Sequence, residues 1–297
     1  MVKKSDPKKY SLKQLEIKAN DIREDIIKML EQAGSGHSAG PLGQADIFTA
    51  LYFQVLKHDP KNPDWPERDI LIQSNGHCVP VRYAAMAEAG YFPKKELMTL
   101  RQFGSRLQGH PERLRLPGLE TTSGPLGSGL SQACGIALAM RMDKVHTRWV
   151  YVTVGDGEQD EGNVWEAAML AGKYKLNNII AITDRNNIQI DGPTETIMPL
   201  ENLRDKWEAF GWHVLEIDGN DIDAVIDACA MAKAIVEKPV MIIAHTVPGK
   251  GVDFMEYDFH WHGYFVQNPG GPDIKDVPKD ALRELRTLGG KIRSEHE

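Results

Sequence analysis

Two short polar segments follow apolar runs, and their residue types suit a site for a metal ion and a phosphate group. Asp156 lies between Gly155 and Gly157 after the first run, and Asn186 follows the next run along the chain. Mg²⁺ takes about six oxygen ligands and commonly obtains several from phosphates and water. One carboxylate, one amide oxygen and one backbone carbonyl would leave room for two diphosphate oxygens and a water.

The interval between these residues matches one strand–helix–strand unit. Asp156 and Asn186 are 30 positions apart (186 − 156 = 30), with a helical pattern between them at 162–174. Parallel strands joined in this way end at the same edge of a sheet, so both side chains can reach one ion. Gly155 and Gly157 allow a tight turn whose N–H groups face an anion. The tripeptide alone is more often a simple turn; the second loop at this spacing favours the metal site.

Histidines in glycine-containing loops form a second group. Their imidazoles titrate near neutral pH without perturbation, which suits proton transfer to and from hydroxyl or carbonyl groups. Four of the ten histidines lie in such loops: His37, His77, His110 and His262. A lone loop histidine is more often a solvated bystander, and we predict that role for those with no motif around them: His58, His146 and His296.

The elements that must position these residues alternate between apolar runs and helical patterns. Strands are predicted at 70–72, 149–154, 179–183, 213–217 and 240–244. Helices are predicted at 11–34, 43–56, 79–89, 128–142, 162–174, 200–210 and 221–236. Continuous apolar runs such as Val150–Val154 are typical of strands covered on both faces. The pattern predicts an α/β fold, a doubly wound and mostly parallel sheet with helices on both faces.

Composition narrows the class of protein. The chain has 297 residues, a net charge of −7 and no basic stripe, so we expect no nucleic-acid partner. No run approaches the roughly 20 apolar residues of a membrane helix, and no secretory signal is evident. Three distant cysteines indicate a reduced, cytoplasmic protein. We expect one domain over 1–267 and a polar C-terminal tail, with a short charged helix, over 268–297.

The segments Gly155–Gly162 and Asp184–Gly192 resemble the cofactor motif of thiamine-diphosphate enzymes. Six further segments narrow the resemblance to transketolases, in family order and within residues 10–270: Gly34-Ser-Gly-His37, Pro41-Leu-Gly43, Ser74-Asn-Gly-His77, Gly109-His-Pro-Glu112, Gly124-Pro-Leu-Gly127 and Trp261-His-Gly263. The resemblance implies a thiamine-diphosphate-binding fold of the PP type. It also implies transfer of a two-carbon ketol unit from a ketose phosphate to an aldose phosphate.

The resemblance assigns roles to individual residues. Mg²⁺, replaceable by Ca²⁺ or Mn²⁺, would be held by Asp156, Asn186 and the carbonyl of Ile188. Thiamine diphosphate would be contacted by His77, Gly124, Pro125, Leu126, Gly155, Gly157, Asn186 and His262, with the Gly157 N–H on the diphosphate. Catalytic roles would fall to His37, His77, His110 and His262, near the sugar or the diphosphate, and to Glu161, in an acidic network between subunits.

The resemblance also implies a missing part. Transketolases have a diphosphate-binding, a pyrimidine-binding and a C-terminal domain, and this sequence resembles only the first. In thiamine enzymes a glutamate of the pyrimidine-binding domain bonds the aminopyrimidine ring. We therefore expect a C-terminal transketolase subunit that carries the other two domains, in an α2β2 assembly; a fragment of a longer enzyme is the alternative.

Three departures and three rival functions stay open. Ser38 stands where the family commonly has proline, and His245 and Pro248 stand where some members have lysine. Lys250 either substitutes for those lysines or is a solvated loop residue.

Other thiamine enzymes, such as deoxyxylulose-phosphate synthase or a 2-oxo-acid dehydrogenase α subunit, are the nearest rivals. A nucleotide-binding module would need a phosphate loop that the sequence lacks. A catalytically inactive structural subunit is the third.

Overall fold

A five-stranded parallel sheet forms the centre of the computed structural model, which describes residues 10–263 and 276–295. The strands are β1 (Ile70–Gln73), β2 (Val150–Gly155), β3 (Ile179–Arg185), β6 (His213–Asp218) and β7 (Val240–His245), and a small antiparallel hairpin contains β4 (Ile188–Gln189) and β5 (Gly192–Pro193). Across the sheet the order is β1-β2-β3-β7-β6, with every neighbouring pair parallel. All five predicted strands are confirmed.

Helices cover both faces of this sheet. They are α1 (Leu12–Ala33), α2 (Ala39–Gly43), α3 (Ala45–Ala50), α4 (Val79–Ala89), α5 (Ser128–Met142), α6 (Gly162–Tyr174), α7 (Thr194–Ile197), α8 (Leu203–Ala209), α9 (Ile222–Ala234) and α10 (Val277–Glu295). Alternate residues of β3 enter different apolar clusters. Ile180 and Ile182 pack with α1, α3, α4 and α9, whereas Ile179 and Ala181 pack with α5, α6 and α8. The prediction of a doubly wound α/β fold is therefore confirmed.

Helix α1 begins and ends where its sequence signals predict. Ser11 and Gln14 form a reciprocal capping box, in which each side chain bonds the other residue's backbone N–H. Gly34 ends the helix at φ 65°, a left-handed conformation that glycine adopts without steric cost. The apolar stripe between these caps, from Leu15 to Leu30, is buried in the core.

The helix predicted over 43–56 is interrupted. The chain forms α2, then α3, and then a π-helical turn over Leu51–Val55. Gln44 separates the first two pieces with φ −84° and ψ 0°. Its side chain is buried and bonds Asp184 and Asn75 at the ends of the strands, so tertiary contacts override the local helical pattern.

The C-terminal segment contains a packed helix. Ala281 and Leu285 of α10 are fully buried, and the Asn20 side chain of α1 donates a hydrogen bond of 3.1 Å to the Leu285 carbonyl. Its apolar residues recur every four positions and make one face, while charges cover the rest. The short charged helix predicted within 268–297 is therefore present as α10, and it packs against α1. The boundary at residue 267 lies outside the described residues and stays a prediction.

The bystander role predicted for His58 was wrong. Its Nδ1 lies 3.0 Å from the Tyr91 hydroxyl and its Nε2 lies 2.7 Å from the Tyr52 carbonyl oxygen. Burial lowers the pKa of His58, which is a structural residue bonded at both nitrogens. His146 is exposed, whereas His296 lies outside the described residues. Over residues 10–263 and 276–295, no helix is long and apolar enough to cross a membrane.

Candidate active site

Buried polar side chains collect at the carboxyl edge of the sheet, where the strand order reverses between β3 and β7. Strands β2 and β3 are joined through α6 on one face, whereas β6 and β7 are joined through α9 on the other. Such a switch point opens a crevice that α/β proteins use for ligands. Asn75, Asp156, Asp184 and Thr246 lie at this edge and are all buried. The paired loops predicted from the 30-residue interval are thus brought together.

Asp156 is 2% exposed and is bonded through both oxygens. Its Oδ2 accepts from Arg185 Nη1 at 3.1 Å, from the Asn187 N–H at 2.7 Å and from the Thr194 hydroxyl at 3.3 Å. Its Oδ1 accepts from the Gly157 N–H at 2.7 Å and from no other group of residues 10–263 and 276–295. One oxygen is therefore saturated by the protein, and the other keeps acceptor capacity for a ligand.

Asn186 and Ile188 lie in the loop that closes against Asp156. The Asn186 amide nitrogen donates to Asp184 Oδ2 at 2.9 Å, which orients the amide, and its oxygen accepts from the Ile188 N–H at 3.0 Å. Asn187 adopts φ 64°, a left-handed turn that asparagine tolerates, and this turn aims its N–H at Asp156. The three predicted metal-ligand residues therefore converge, while their roles stay predictions.

The arrangement fits a divalent cation. All three candidate ligands are oxygens, which Mg²⁺ prefers, and the carboxylates of Asp156 and Asp184 are buried at the same edge. Burial raises the pKa of Asp184 to about 7, and the neighbouring charge of Asp156 adds to this. Within the part of the chain that the structure describes, no cluster of three His, Cys, Asp or Glu side chains could hold a metal. Phosphate and water oxygens would therefore complete the coordination.

Sequence reasoning missed a buried glutamate in the same loop. Glu158 is 3% exposed and accepts from the Gly127 N–H at 2.6 Å, the Gly155 N–H at 2.8 Å and the Ser74 hydroxyl. It joins the Gly124–Gly127 loop to the Asp156 loop and to the end of β1. The only signal in the sequence was a carboxylate two positions after Asp156.

The glycine N–H groups predicted to face the diphosphate already have partners. The Gly157 N–H donates to Asp156 Oδ1, and the Gly155 N–H donates to Glu158 Oε2. A diphosphate contact at Gly157 therefore requires its N–H to be shared with, or released from, Asp156. The segment predicted to line the cofactor is more open: Pro125 is exposed, and Gly124 has nothing within 4 Å of the position where a Cβ would stand.

Three of the four predicted histidines form a triangle. Ring centroids are 4.8 Å apart for His37 and His77, 5.4 Å for His77 and His262, and 5.7 Å for His37 and His262. Ser38 holds two of these loops together, because its hydroxyl donates to the Trp261 carbonyl at 3.0 Å. The serine at this departure from the family's proline thus makes a contact between the loops.

Burial keeps this triangle neutral. It lowers the pKa of His37 to about 3 and that of His262 to about 4, and it also lowers the pKa of His77. Neighbouring histidines reinforce the shift for His37 and His77. The buried Nδ1 of His262 has no partner within residues 10–263 and 276–295. Neutral rings with a free nitrogen can accept a proton or hydrogen bond from a hydroxyl.

His110 stands apart from the triangle, and Arg101 lies beside it. His110 is exposed, and both burial and the Arg101 charge lower its pKa. The exposed Arg101 adopts φ 60°, and its guanidinium lies against Gly109, where a Cβ would stand 3.0 Å from Nε. The same cation also lowers the pKa of His37. Sequence reasoning missed this positive charge next to the histidine loops.

The remaining predicted positions lie at the surface. The carboxylate of Glu161 is exposed and makes no hydrogen bond or ion pair with the residues that the structure describes. His245 is also exposed, and its Nε2 lies 3.6 Å from Glu216 Oε2 at the edge of the sheet. For His245 this contact accounts for the side chain without a cofactor.

The triangle predicts that stability falls with acidification. Unfolded histidines titrate near 6.5, so below that pH the unfolded state binds more protons than the folded state until the lowered pKa values are reached. Between pH 7 and pH 5 we expect each buried ring to lower the free energy of unfolding by about 2 kcal/mol. Chemical unfolding of the parent and of His37→Asn at pH 7 and pH 5 measures this effect. The free energy of unfolding should depend less on pH in the variant. His146→Asn is the exposed control, and equal slopes for His37→Asn and the parent would contradict the assignment.

The fold and the site define a class: a doubly wound α/β domain with buried oxygen-bearing side chains at the carboxyl edge of its parallel sheet. Residues 15–277 match the family described as transketolase, thiamine diphosphate binding domain. The chain therefore belongs to the transketolase family, as the motifs predicted. Thiamine diphosphate is the cofactor for which this family's domain is named.

Named relatives and solved structures agree with this assignment. The chain is 48% identical over 275 residues to the 6-deoxy-6-sulfo-D-fructose transketolase subunit of a Clostridium species, covering 93% of this chain and 97% of the relative. It is 41% identical over 282 residues to an apulose-4-phosphate transketolase subunit of Phocaeicola vulgatus, covering 95% and 97%. It is similar to transketolase from Leishmania mexicana at a TM-score of 0.80 and 34% identity, covering 95% of this chain but 45% of that one.

Proposed function

We propose that this chain is the cofactor-binding subunit of a transketolase that transfers a two-carbon ketol unit from an anionic ketose to an aldose phosphate. The observation that supports the proposal most strongly is that the loop after Asn186 and the loops carrying the histidines lie next to each other. A Cβ on Gly263 would stand 3.3 Å from Cδ1 of Ile190 and 3.7 Å from Nε2 of His37. The loop after Asn186 therefore lies against Gly263, the neighbour of His262, as a cofactor that reaches both the loop and the histidines would require.

Each group has a role in this proposal. Asp156, Asn186 and the Ile188 carbonyl hold Mg²⁺, and the Gly155–Gly157 turn faces the diphosphate. When bound, thiamine diphosphate would supply the nucleophilic carbon chemistry that cleaving and joining the sugar carbon chain requires. His37 and His262 accept hydrogen bonds or protons from the sugar hydroxyls at their ring nitrogens, which are uncharged at neutral pH. His77 contacts the diphosphate of the cofactor, and the exposed His110 contacts the sugar.

A partner chain belongs to the proposal, because relatives that this chain covers by 97% are named as subunits. We propose a C-terminal subunit with the pyrimidine-binding and C-terminal domains, in an α2β2 assembly. Support comes from the exposed Glu161, which bonds none of the residues that the structure describes, and from exposed apolar residues on the following helix α6: Met169, Leu170 and Tyr174. The free, buried cysteines fit a cytoplasmic location.

The substrate class follows from charge. The two relatives carry names of a sulfonated and a phosphorylated sugar. In this chain Arg101 supplies an exposed guanidinium next to His37 and His110. A guanidinium fork binds either a phosphate or a sulfonate, since both present coplanar oxygen pairs. We therefore propose an anionic sugar as the substrate. The experiment distinguishes a phosphate from a sulfonate.

Turnover with and without the partner tests the proposal. The chain is assayed with thiamine diphosphate, Mg²⁺ and ribose 5-phosphate, and with xylulose 5-phosphate or 6-deoxy-6-sulfofructose as the ketol donor. We expect no activity from the chain alone and activity after addition of the chain that co-purifies from the native source. Pyruvate as donor is the control for other thiamine enzymes. Ketol transfer by the chain alone, or turnover of pyruvate only, would refute the proposal.

A further inference from the structure

Arg185 is a buried cation in direct contact with a candidate metal ligand. Its side chain is 2% exposed and lies at the end of β3. Nη1 donates to Asp156 Oδ2 at 3.1 Å, and Nη2 donates to Glu195 at 2.6 Å and to Glu201 at 2.9 Å. A buried guanidinium requires such partners, because an unpaired buried charge is costly. Nothing in the proposed chemistry uses this residue directly.

The two glutamates hold Arg185 from the outside. Their side chains are 40% and 55% exposed, and each is tied back to the chain: Glu195 Oε1 accepts from the Leu200 N–H at 3.1 Å, and Glu201 Oε2 accepts from the Leu203 N–H at 3.1 Å. Segment 186–201, which contains β4, β5 and α7, is therefore closed around Arg185. The same segment supplies two of the donors to Asp156.

Three donors converge on a single oxygen of Asp156. Oδ2 accepts from Arg185 Nη1, the Asn187 N–H and the Thr194 hydroxyl, whereas among the described residues Oδ1 accepts only from the adjacent Gly157 N–H. The carboxylate is thus fixed in rotation, and Oδ1 is its one oxygen available to an ion. We propose that Arg185 is a positioning residue that commits Asp156 Oδ2, so that Oδ1 binds the metal of the cofactor. This inference rests on the proposed function.

Electrostatic repulsion argues in the opposite direction. A guanidinium near a divalent cation disfavours metal binding. Here Glu195 and Glu201 offset the Arg185 charge, and the group formed with Asp156 is net negative (one cation and three carboxylates). Repulsion is therefore compensated. Of the three donors to Oδ2, Arg185 is the one that carries a charge, so its hydrogen bond is the strongest of the three. Partners of a ligand that act in this way typically change metal affinity by about 10- to 100-fold.

Mn²⁺ binding measured by electron paramagnetic resonance tests this role, with thiamine diphosphate added to the complex of this chain and its partner. We expect Arg185→Met to bind Mn²⁺ about 10- to 100-fold more weakly. Arg185→Lys, which keeps the charge but reaches fewer partners, should recover part of the affinity. The electron paramagnetic resonance spectrum of bound Mn²⁺ should broaden in both variants, because the Asp156 carboxylate is held less rigidly. The Michaelis constant for the sugar should stay unchanged.

Two further variants keep the test decisive. Arg204→Met is the matched control, because Arg204 also bonds two carboxylates, Glu208 and Glu216, but at the surface. If Arg185→Met does not fold, Glu195→Gln combined with Glu201→Gln loosens Arg185 from outside and should weaken Mn²⁺ binding in the same direction. Unchanged or tighter Mn²⁺ binding in folded Arg185 variants would overturn the inference alone. No cofactor-dependent Mn²⁺ binding in the unsubstituted complex would overturn the proposed function as well.

Discussion

Replacement of Asp156 by alanine is expected to abolish Mg²⁺-dependent binding of thiamine diphosphate. Asp156 is the only carboxylate among the three proposed ligands, so its loss leaves two neutral oxygens for a divalent ion. Loss of a partner behind a ligand costs about 10- to 100-fold, and loss of the charged ligand itself should exceed about 100-fold. Calorimetric titration of the complex with thiamine diphosphate, at fixed Mg²⁺, measures the effect directly.

Alanine at this position also removes the acceptor for four donors, so folding must be separated from binding. Asp156→Asn keeps the size of the side chain and one oxygen, and its thermal unfolding with no cofactor present should lie closer to the parent. Asp160→Ala is the matched control: Asp160 lies in the same loop but is exposed, and it accepts one bond of 2.9 Å from Gln189. Parental cofactor affinity in a folded Asp156→Asn or Asp156→Ala protein would remove Asp156 from the metal site.

The positions of Asp156 and Asn186 could be predicted because local patterns determine them. Their two strands are continuous apolar runs, and the helix between them has its own periodicity, so one crossover places both residues at the same edge. Glycine loops identify the histidines in the same way. The family motifs then add chemical roles to these residues. The geometry of the chain is compatible with those roles, and the experiments test them.

Other features depend on partners that are distant in sequence. Arg185 precedes Asn186 in an unremarkable polar run, and nothing local indicates that it is buried against Glu195 and Glu201. Gln44 ends a helix early because its amide bonds Asp184, 140 positions away. Helix α10 was assigned to a tail because its composition is polar, although a narrow apolar stripe is enough to dock it on α1. Composition and propensity do not report such long-range contacts.

Glu158 and Glu161 offer a matched pair for the second large effect. They lie three positions apart in one loop, yet Glu158 is buried and accepts from three donors, whereas Glu161 is exposed and accepts from none within the described part of the chain. Glu158→Ala leaves the N–H groups of Gly127 and Gly155 without acceptors. Each buried, unpaired donor costs about 1–3 kcal/mol, so we expect a loss of about 3 kcal/mol or more in the free energy of unfolding.

Glu161→Ala should leave the stability of this chain unchanged and act only in the assembled enzyme, where the acidic network between subunits is predicted. Chemical unfolding of the chain therefore separates the two variants, because Glu158→Ala is destabilised and Glu161→Ala is not, whereas both variants should lose turnover in the complex. Glu158→Gln, which keeps one acceptor oxygen, should unfold between Glu158→Ala and the parent and should bind thiamine diphosphate more weakly, because the Gly124–Gly127 loop is then less firmly held. Equal stability of Glu158→Ala and Glu161→Ala would contradict the buried network. Full activity of Glu161→Ala in the complex would instead remove Glu161 from the subunit interface.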